Sequence, residues 1–262
     1  MILVVANDKR MTYVADELSA FFNVVRFNNE KDLKDFNFST VAYAIFPFKI
    51  DAIAMRDLVA KLSSDCIIFT PIMRDFLVGV QQPVEVIMDY DEIAIYNSIP
   101  TAEGTILYIM QNTETTIHGT RIHVIGAGRC GETLAKSLRA LGAHVSISTR
   151  NPSLAARMFE SGIPVVTDLE SLPKAEVVVN TIPALILDGN LLKLLKQDVY
   201  VADIASAPGG VDFEAAVELG IKAELLPALP GIVAPKTAAS YLAQFIKRTI
   251  DTNGRKRGFK NE

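Results

Sequence analysis

The residues whose types and spacing point most directly to chemistry are three glycines in one short run. The run follows an apolar segment, Arg121–Ile125, and precedes an amphipathic segment, Glu132–Leu141. Its members are Gly126, Ala127, Gly128, Arg129, Cys130 and Gly131. In a strand–turn–helix of this kind, Gly126 permits the tight turn, Gly128 lets the backbone approach a pyrophosphate, and Gly131 lets the helix pack closely on the strand. Because the first N–H groups of the helix then face the phosphates, we predict that this run binds a dinucleotide.

The residues after the next predicted strand, His144–Ser148, bear on which dinucleotide binds. An NAD site commonly has Asp or Glu about 20 residues after the glycines, where it binds the ribose hydroxyls. Here the strand is followed by Thr149, Arg150 and Asn151, with no carboxylate. Arg150 can pair with a 2′-phosphate and Thr149 offers a hydroxyl, so the pattern favours NADP over NAD. The alternative is that Arg150 points into solvent beside an NAD site.

Two later loops are expected to complete the cofactor site. Since the carboxyl ends of parallel strands meet at one edge of a sheet, we predict that Thr181, Ile182 and Pro183 contact the pyrophosphate or the nicotinamide ribose. Asp203 and Ser206 follow the next strand and are expected on the nicotinamide side. Asp203 is also a candidate proton acceptor, with a loop cap or a fully hydrogen-bonded buried carboxylate as the alternative.

Two further residues are candidate proton acceptors, and the sequence does not choose among the three. Glu103 offers a carboxylate and His118 an imidazole, although a hydrogen-bonding role in its loop is an equal alternative for His118. The 3 histidines and 2 cysteines are scattered without the spacing of metal ligands, so no metal site is predicted.

The elements around these residues indicate the fold class. Short apolar runs alternate with segments of helical periodicity along the chain, which implies parallel strands joined by helical crossovers. We therefore predict an α/β protein with two parallel-sheet domains, the second a Rossmann dinucleotide-binding domain. The predicted boundaries are residues 1–97 plus 235–252 for a discontinuous first domain, 98–115 for a connecting helix, 116–234 for the Rossmann domain and 253–262 for a polar tail. Pro100 is expected in the first turn of the connecting helix, where its missing N–H costs nothing.

Composition excludes several classes of protein. Hydrophobic residues make up 50% of the chain and charged residues 21%, which allows a sizeable core. The formal charge of −4 gives no general attraction to nucleic acid or to an anionic membrane. No apolar stretch approaches the roughly 20 residues that span a bilayer, and no basic residue precedes the first apolar run, so no signal peptide is predicted. We expect a reduced, cytoplasmic protein.

Several longer runs resemble a family of spore-forming bacteria, the A-type subunits of dipicolinate synthase. They are Asp91–Thr105, Ile117–Gly119, Asn180–Pro183, Asp203–Asp212 and Leu229–Ala238. The segment Asn7–Arg10 is similar to the Gly-Gly-Asp-x-Arg start of that family, with Ala6 and Asn7 in place of the two glycines.

The resemblance implies an activity that the composition does not. It implies oxidation of dihydrodipicolinate or hydroxytetrahydrodipicolinate to pyridine-2,6-dicarboxylate, with hydride transfer to NAD(P). It also implies a flavoprotein-like partner, the B-type subunit of dipicolinate synthase, and a place in the mother cell of a sporulating bacterium.

A dicarboxylate substrate needs cationic or N–H-rich anchors. The candidates are Arg10 for bidentate binding, Ser98 and Thr101 at a predicted helix start, and Lys236 as a second cation. For each of them the alternative is a capping or surface role.

Two other functions stay open. One is a non-catalytic dinucleotide-binding partner of the flavoprotein-like B-type subunit, and the other is an alanine-dehydrogenase-like oxidoreductase. The apolar helix near the carboxyl terminus leaves room for a homodimer.

Overall fold

The computed structural model describes residues 1–27, 36–49, 51–167 and 169–258. The chain divides into two compact units. The first comprises Met1–Asn97 together with the segment from Ala234 onward, and the second is Ser98–Val233. Each unit contains one parallel sheet with helices, and the predicted fold class is confirmed. Among the described residues, no helix is both long enough and apolar enough to cross a membrane.

The first unit is built on a sheet of parallel strands in the order β2-β1-β3-β4-β5. Its strands are β1 Ile2–Val5, β2 Val24–Phe27, β3 Tyr43–Ile45, β4 Ile67–Thr70 and β5 Val84–Val86, and its helices are α1 Lys9–Ser19, α2 Ala52–Lys61 and α9 Pro235–Gly258. Apolar residues of α1 and α9 cover one face of the sheet, and those of α2 cover the other. The carboxyl ends of β1, β3 and β4 therefore lie side by side at one edge.

The second unit has a sheet in the order β10-β9-β8-β6-β7, again parallel throughout. Its strands are β6 Arg121–Ile125, β7 His144–Ser148, β8 Val177–Asn180, β9 Tyr200–Asp203 and β10 Lys222–Leu225, and its helices are α4 Arg129–Ala140, α5 Pro152–Glu160, α6 Gly189–Leu192, α7 Phe213–Glu218 and α8 Leu229–Val233. The strand order reverses at β6, which lies between β7 and β8. In open α/β sheets ligands bind outside the carboxyl ends of the strands at such a reversal.

The prediction that a connecting helix starts at Ser98 is wrong. The helix, α3, runs from Asp91 to Asn112 and encloses Pro100. Asp91 and Glu92 occupy its first turn, where carboxylates are favoured by the helix dipole. Pro100 removes one internal hydrogen bond from the helix without ending it.

One other boundary differs from the sequence prediction. The segment 253–258, assigned to a polar tail, continues α9, because Lys and Arg are good helix formers. Residues 259–262 lie outside the described part of the chain. The short helix α8, Leu229–Val233, lies between β10 and α9.

Candidate functional site

The turn between β6 and α4 has no room for a side chain at its first glycine, Gly126, or at its last, Gly131. Gly126 has a φ of 99°, and a Cβ built on it would lie 2.3 Å from Thr181 Oγ1. A Cβ on Gly131 would lie 1.9 Å from the Gly126 carbonyl oxygen. Both distances are far below van der Waals contact, so the first and third glycines are required by the fold of the turn itself.

Gly128 differs from the other two glycines because the space beside it is open. It is the N-cap of α4, with φ −72° and ψ −174°, and no atom lies within 4 Å of a Cβ built there. Because the N-cap residue is a glycine, it has no side chain that could accept a hydrogen bond from the first turn of α4. Most helices satisfy these N–H groups with a polar N-cap side chain. An uncapped helix start beside open space fits a phosphate group.

Thr181 holds the glycine turn in place. Its hydroxyl donates to the Ile125 carbonyl at 2.9 Å, and its backbone N–H donates to the same oxygen at 3.0 Å. Ile182 packs beside Gly126 and donates its N–H to Asn180 Oδ1 at 3.1 Å, whereas Pro183 is exposed. Of this predicted trio, Thr181 and Ile182 therefore shape the turn, and Pro183 presents a free surface at the carboxyl edge.

Asp203 braces a loop and is not available as a proton acceptor. It is completely buried, and its carboxylate accepts from Asn180 Nδ2 at 2.9 Å, the Ala205 N–H at 3.0 Å and the Gly210 N–H at 2.6 Å. A buried carboxylate that accepts three hydrogen bonds stabilises the structure around it. Its hydrogen bonds are made within the protein and not with a ligand. The alternative of a fully hydrogen-bonded carboxylate therefore replaces the catalytic assignment. Ser206, in the same loop, is exposed.

The three predicted cofactor residues after β7 differ in their surroundings. Thr149 Oγ1 accepts from the Asn151 N–H at 3.2 Å, and the Asn151 side chain caps α5 by accepting from Ser153 and Leu154. Asn151 therefore has a structural role that sequence reasoning missed, although an Asn before a Pro-led helix is a recognisable cap. Arg150 is exposed and forms no ion pair with a carboxylate of the described residues.

Ser98 and Thr101 do not form a helix start. They lie inside α3 with exposures of 1% and 7%. Ser98 Oγ and Thr133 Oγ1 are hydrogen-bonded at 2.7 Å, and Thr101 is hydrogen-bonded to the Cys130 thiol. Burial raises the pKa of that thiol, which disfavours the reactive thiolate. The two hydroxyls thus brace the start of α4 and do not present the donors of a helix terminus.

His118 lies at the wrong edge of the second sheet for the predicted chemistry. It precedes β6, and its ring packs against Gly142 in the turn that leads into β7. The five residues of β6, at a rise of ~3.3 Å each, place the glycine turn roughly 16 Å away. His118 is therefore removed from the candidate proton acceptors.

The three remaining candidate site residues lie on three different helices. Glu103 is exposed on α3, and Lys236 is exposed in the first turn of α9. Arg10 is buried near the start of α1. These three assignments stay predictions.

A cavity of about 430 Å³ lies at the amino ends of β6 and β7, away from the glycine turn. Arg121, His144 and Lys174 are among its lining residues, together with the buried His123. The His123 ring shares a hydrogen bond with Ser146 Oγ at 2.8 Å, while its Nε2 has no partner among the described residues. Desolvation lowers the pKa of His123 from 6.5 to about 4.

The lowered pKa predicts an acid-sensitive contribution to stability. Because the folded pKa lies below the unfolded value of 6.5, this contribution is complete above pH 6.5 and is lost as the pH falls towards about 4. About 3 kcal/mol is expected to disappear over that window. The measurement is the free energy of urea unfolding at several pH values for the wild type and His123→Gln. We expect the difference between the two curves to change across the window, and parallel curves would count against a neutral buried His123.

Part of the second unit matches a family of known domains. The family model described as D-isomer specific 2-hydroxyacid dehydrogenase, NAD binding domain, matches residues 102–217. That stretch contains the glycine turn and the strands β6 to β9. The match places the site among nicotinamide-dinucleotide-binding domains of oxidoreductases.

A curated relative decides the family. The A-type dipicolinate synthase subunit of Bacillus subtilis (strain 168) is 39% identical over 207 residues, which are 76% of this chain and 70% of the relative. The chain belongs to the family of A-type dipicolinate synthase subunits. The family resemblance seen in the sequence is thereby confirmed.

Solved structures agree with this assignment. The A-type dipicolinate synthase subunit from Bacillus halodurans superposes with a TM-score of 0.85 at 31% identity, covering 95% of this chain and 96% of the other. The apo-structure of D-lactate dehydrogenase from Escherichia coli gives a TM-score of 0.69 at 16% identity, with 97% of each chain covered. The second likeness shows a shared fold alone. This chain thus shares its fold with D-lactate dehydrogenase of Escherichia coli.

Proposed function

We propose that this chain is the dehydrogenase subunit of a dipicolinate synthase. In this proposal it oxidises dihydrodipicolinate, or hydroxytetrahydrodipicolinate after loss of water, to pyridine-2,6-dicarboxylate. The observation that carries the proposal is the uncapped start of α4 beside Gly128, in a chain of this family. Formation of the aromatic ring favours the reaction, and the remaining task of the protein is to position its reactants.

The residues of the second unit fit a nicotinamide dinucleotide. The N–H groups of the first turn of α4 would donate hydrogen bonds to the pyrophosphate, and the open space beside Gly128 would let it approach the backbone. The exposed Pro183 and Ser206 lie in loops at the same edge of the sheet and complete the binding surface. When bound, a nicotinamide supplies the acceptor for the hydride that leaves the substrate.

Arg150 supports NADP as the preferred cofactor. It follows β7 in the place where an NAD site commonly carries a carboxylate, and its guanidinium is exposed. A 2′-phosphate would accept charge-assisted hydrogen bonds from that guanidinium.

Substitution of Arg150 tests this preference. We expect Arg150→Ala to weaken NADP binding by about 10- to 100-fold, since hydrogen bonds to charged groups contribute about 1.5–3 kcal/mol. NAD binding should change by less than about twofold. Isothermal titration with both cofactors measures the two effects, and Arg56→Ala, on the exposed surface of α2, serves as a control for the loss of an exposed arginine. Equal losses for NADP and NAD would contradict the role of Arg150.

The proposal also assigns the substrate contacts. Arg10 and Lys236 are the proposed cationic anchors, and Glu103 is the proposed proton acceptor because Asp203 and His118 are removed. The flavoprotein-like B-type subunit of dipicolinate synthase is the proposed partner, and the mother cell of a sporulating bacterium is the proposed location.

The proposed function is tested by turnover. Purified protein is mixed with NADP or NAD and freshly generated dihydrodipicolinate, with and without the B-type subunit. We expect reduced-nicotinamide absorbance to rise together with pyridine-2,6-dicarboxylate identified by chromatography. Tight dinucleotide binding without turnover in either mixture would overturn the proposal.

One observation favours a second candidate function. Two of the three predicted proton acceptors are structurally excluded, Asp203 by burial and His118 by position. A non-catalytic dinucleotide-binding partner of the B-type subunit needs no proton acceptor. Glu103→Gln separates the two functions, because a large fall in turnover with unchanged NADP binding is expected only of the dehydrogenase.

A further inference from the structure

Two arginines of the first unit meet the same aromatic residue at the carboxyl edge of its sheet. Arg10 follows β1, Phe48 follows β3, and Arg74 follows β4. These strands are neighbours in the sheet, so their carboxyl ends bring the three residues together. The Arg10 guanidinium lies over the Phe48 ring, with Cζ 3.5 Å from the ring centroid, and Arg74 Nη2 donates to the Phe48 carbonyl at 2.9 Å.

Both guanidiniums have hydrogen-bonding capacity to spare. Arg10 is only 5% exposed, and the Nε atoms of Arg10 and Arg74 are buried without a hydrogen-bond partner. No carboxylate in the described part of the chain forms an ion pair with either arginine. A buried donor without a partner costs about 1–3 kcal/mol, and more when it belongs to a charged group. Such a pair of cations therefore calls for an anion.

The local electrostatics strengthen this requirement. Arg10 is in the first turn of α1, where the helix dipole disfavours a positive charge. Asp8, the nearest opposite charge, is occupied as the N-cap and accepts from the Met11 N–H at 2.8 Å. Desolvation lowers the pKa of Arg10 to about 10, so burial is not offset by the neighbours that are present.

The geometry also limits the kind of anion. Because Phe48 covers one face of the Arg10 guanidinium, the donors that remain lie in the plane of that group. In-plane donors bind planar carboxylates in a bidentate manner. One guanidinium stacked on the Phe48 ring and a second bound to the Phe48 carbonyl suit a flat aromatic or cyclic carboxylate.

We infer that Arg10, Arg74 and Phe48 form a carboxylate-binding site for the planar dicarboxylate. The identification of that dicarboxylate with the substrate or product rests on the proposed function. The site itself rests on the two buried Nε atoms without a hydrogen-bond partner and on the lack of an ion pair at either arginine within the described part of the chain. Arg74 and Phe48 are the residues that the sequence did not single out.

The test is isothermal titration of the full-length chain with pyridine-2,6-dicarboxylate, with inorganic phosphate as the comparison anion. We expect Arg74→Gln and Arg10→Gln each to weaken dicarboxylate binding by at least about tenfold, with Phe48→Leu and Arg74→Lys intermediate. Arg56→Gln, an exposed arginine on α2, is the matched control and should bind as the wild type does. NADP affinity should stay unchanged in every variant. Arg74 is only half-buried, so Arg74→Gln carries the test even if Arg10→Gln does not fold.

Three outcomes would overturn the inference: equal binding in Arg74→Gln and the wild type, equal loss in Arg56→Gln, or phosphate binding as tight as that of the dicarboxylate. The proposed function fails separately. Arginine-dependent dicarboxylate binding without any turnover would preserve the site and remove the dehydrogenase. Turnover with an unchanged KM in Arg74→Gln would preserve the dehydrogenase and remove the site.

Discussion

Gly128→Ala is expected to abolish dinucleotide binding while the protein stays folded. The backbone at Gly128 has a φ of −72°, which alanine adopts without strain, and a Cβ there meets no atom within 4 Å. The added methyl group would occupy the space through which the pyrophosphate approaches the start of α4. We expect NADP affinity to fall by at least about 100-fold, about 2.7 kcal/mol, with little change in melting temperature. Calorimetric titration and thermal unfolding measure the two quantities.

Gly131→Ala is the contrasting variant at the same turn. Its Cβ would lie 1.9 Å from the Gly126 carbonyl oxygen, so the helix and the strand must separate. We expect this variant to lose stability as well as binding. If Gly128→Ala bound NADP like the wild type, the open space beside this residue would not be the cofactor site.

Asp203→Ala is expected to cause the largest loss of stability. Removing the carboxylate leaves the Asn180 amide and the Ala205 and Gly210 N–H groups without their acceptor in a fully buried position. Loss of a buried charged acceptor with several donors costs about 3–5 kcal/mol. Denaturant unfolding of the wild type and the variant measures this difference.

Asp203→Asn serves as the control for charge. Its amide retains one acceptor and should recover part of the stability that Asp203→Ala loses. A catalytic Asp203 predicts the opposite pattern, in which both variants lose turnover and keep full stability. That pattern would restore Asp203 as a proton acceptor.

Local sequence signals were sufficient for much of the fold and of the cofactor site. The strand Arg121–Ile125, the glycine turn and the helix after it follow from residues that are adjacent in the chain. The spacing of the glycines reflects positions where no side chain fits. At Gly126 and Gly131 a Cβ would lie too close to neighbouring atoms. The family resemblance added the chemistry of a dicarboxylate substrate, which no periodicity contains.

The remaining features depend on contacts between residues far apart in sequence. In the sequence, Asp203 is a candidate for a carboxylate that faces a ligand. Only the fold shows that Asn180 and Gly210 donate hydrogen bonds to this carboxylate. The position of Pro100 suggested a helix start, but α3 begins at Asp91. Arg74 carries no motif, and only the adjacency of β3 and β4 brings it to Phe48.

The most direct test of the dehydrogenase assignment follows the hydride itself. Dihydrodipicolinate is prepared with deuterium on both saturated ring carbons, so that a hydride leaving either carbon is labelled, and it is incubated with the chain, NADP and the B-type subunit. The reduced nicotinamide and the pyridine-2,6-dicarboxylate are then analysed by mass spectrometry. We expect one deuterium on the reduced nicotinamide for each molecule of product. In Gly128→Ala we expect neither the deuterated nicotinamide nor the product. Product formed without deuterium on the nicotinamide would contradict hydride transfer to a dinucleotide bound at this turn.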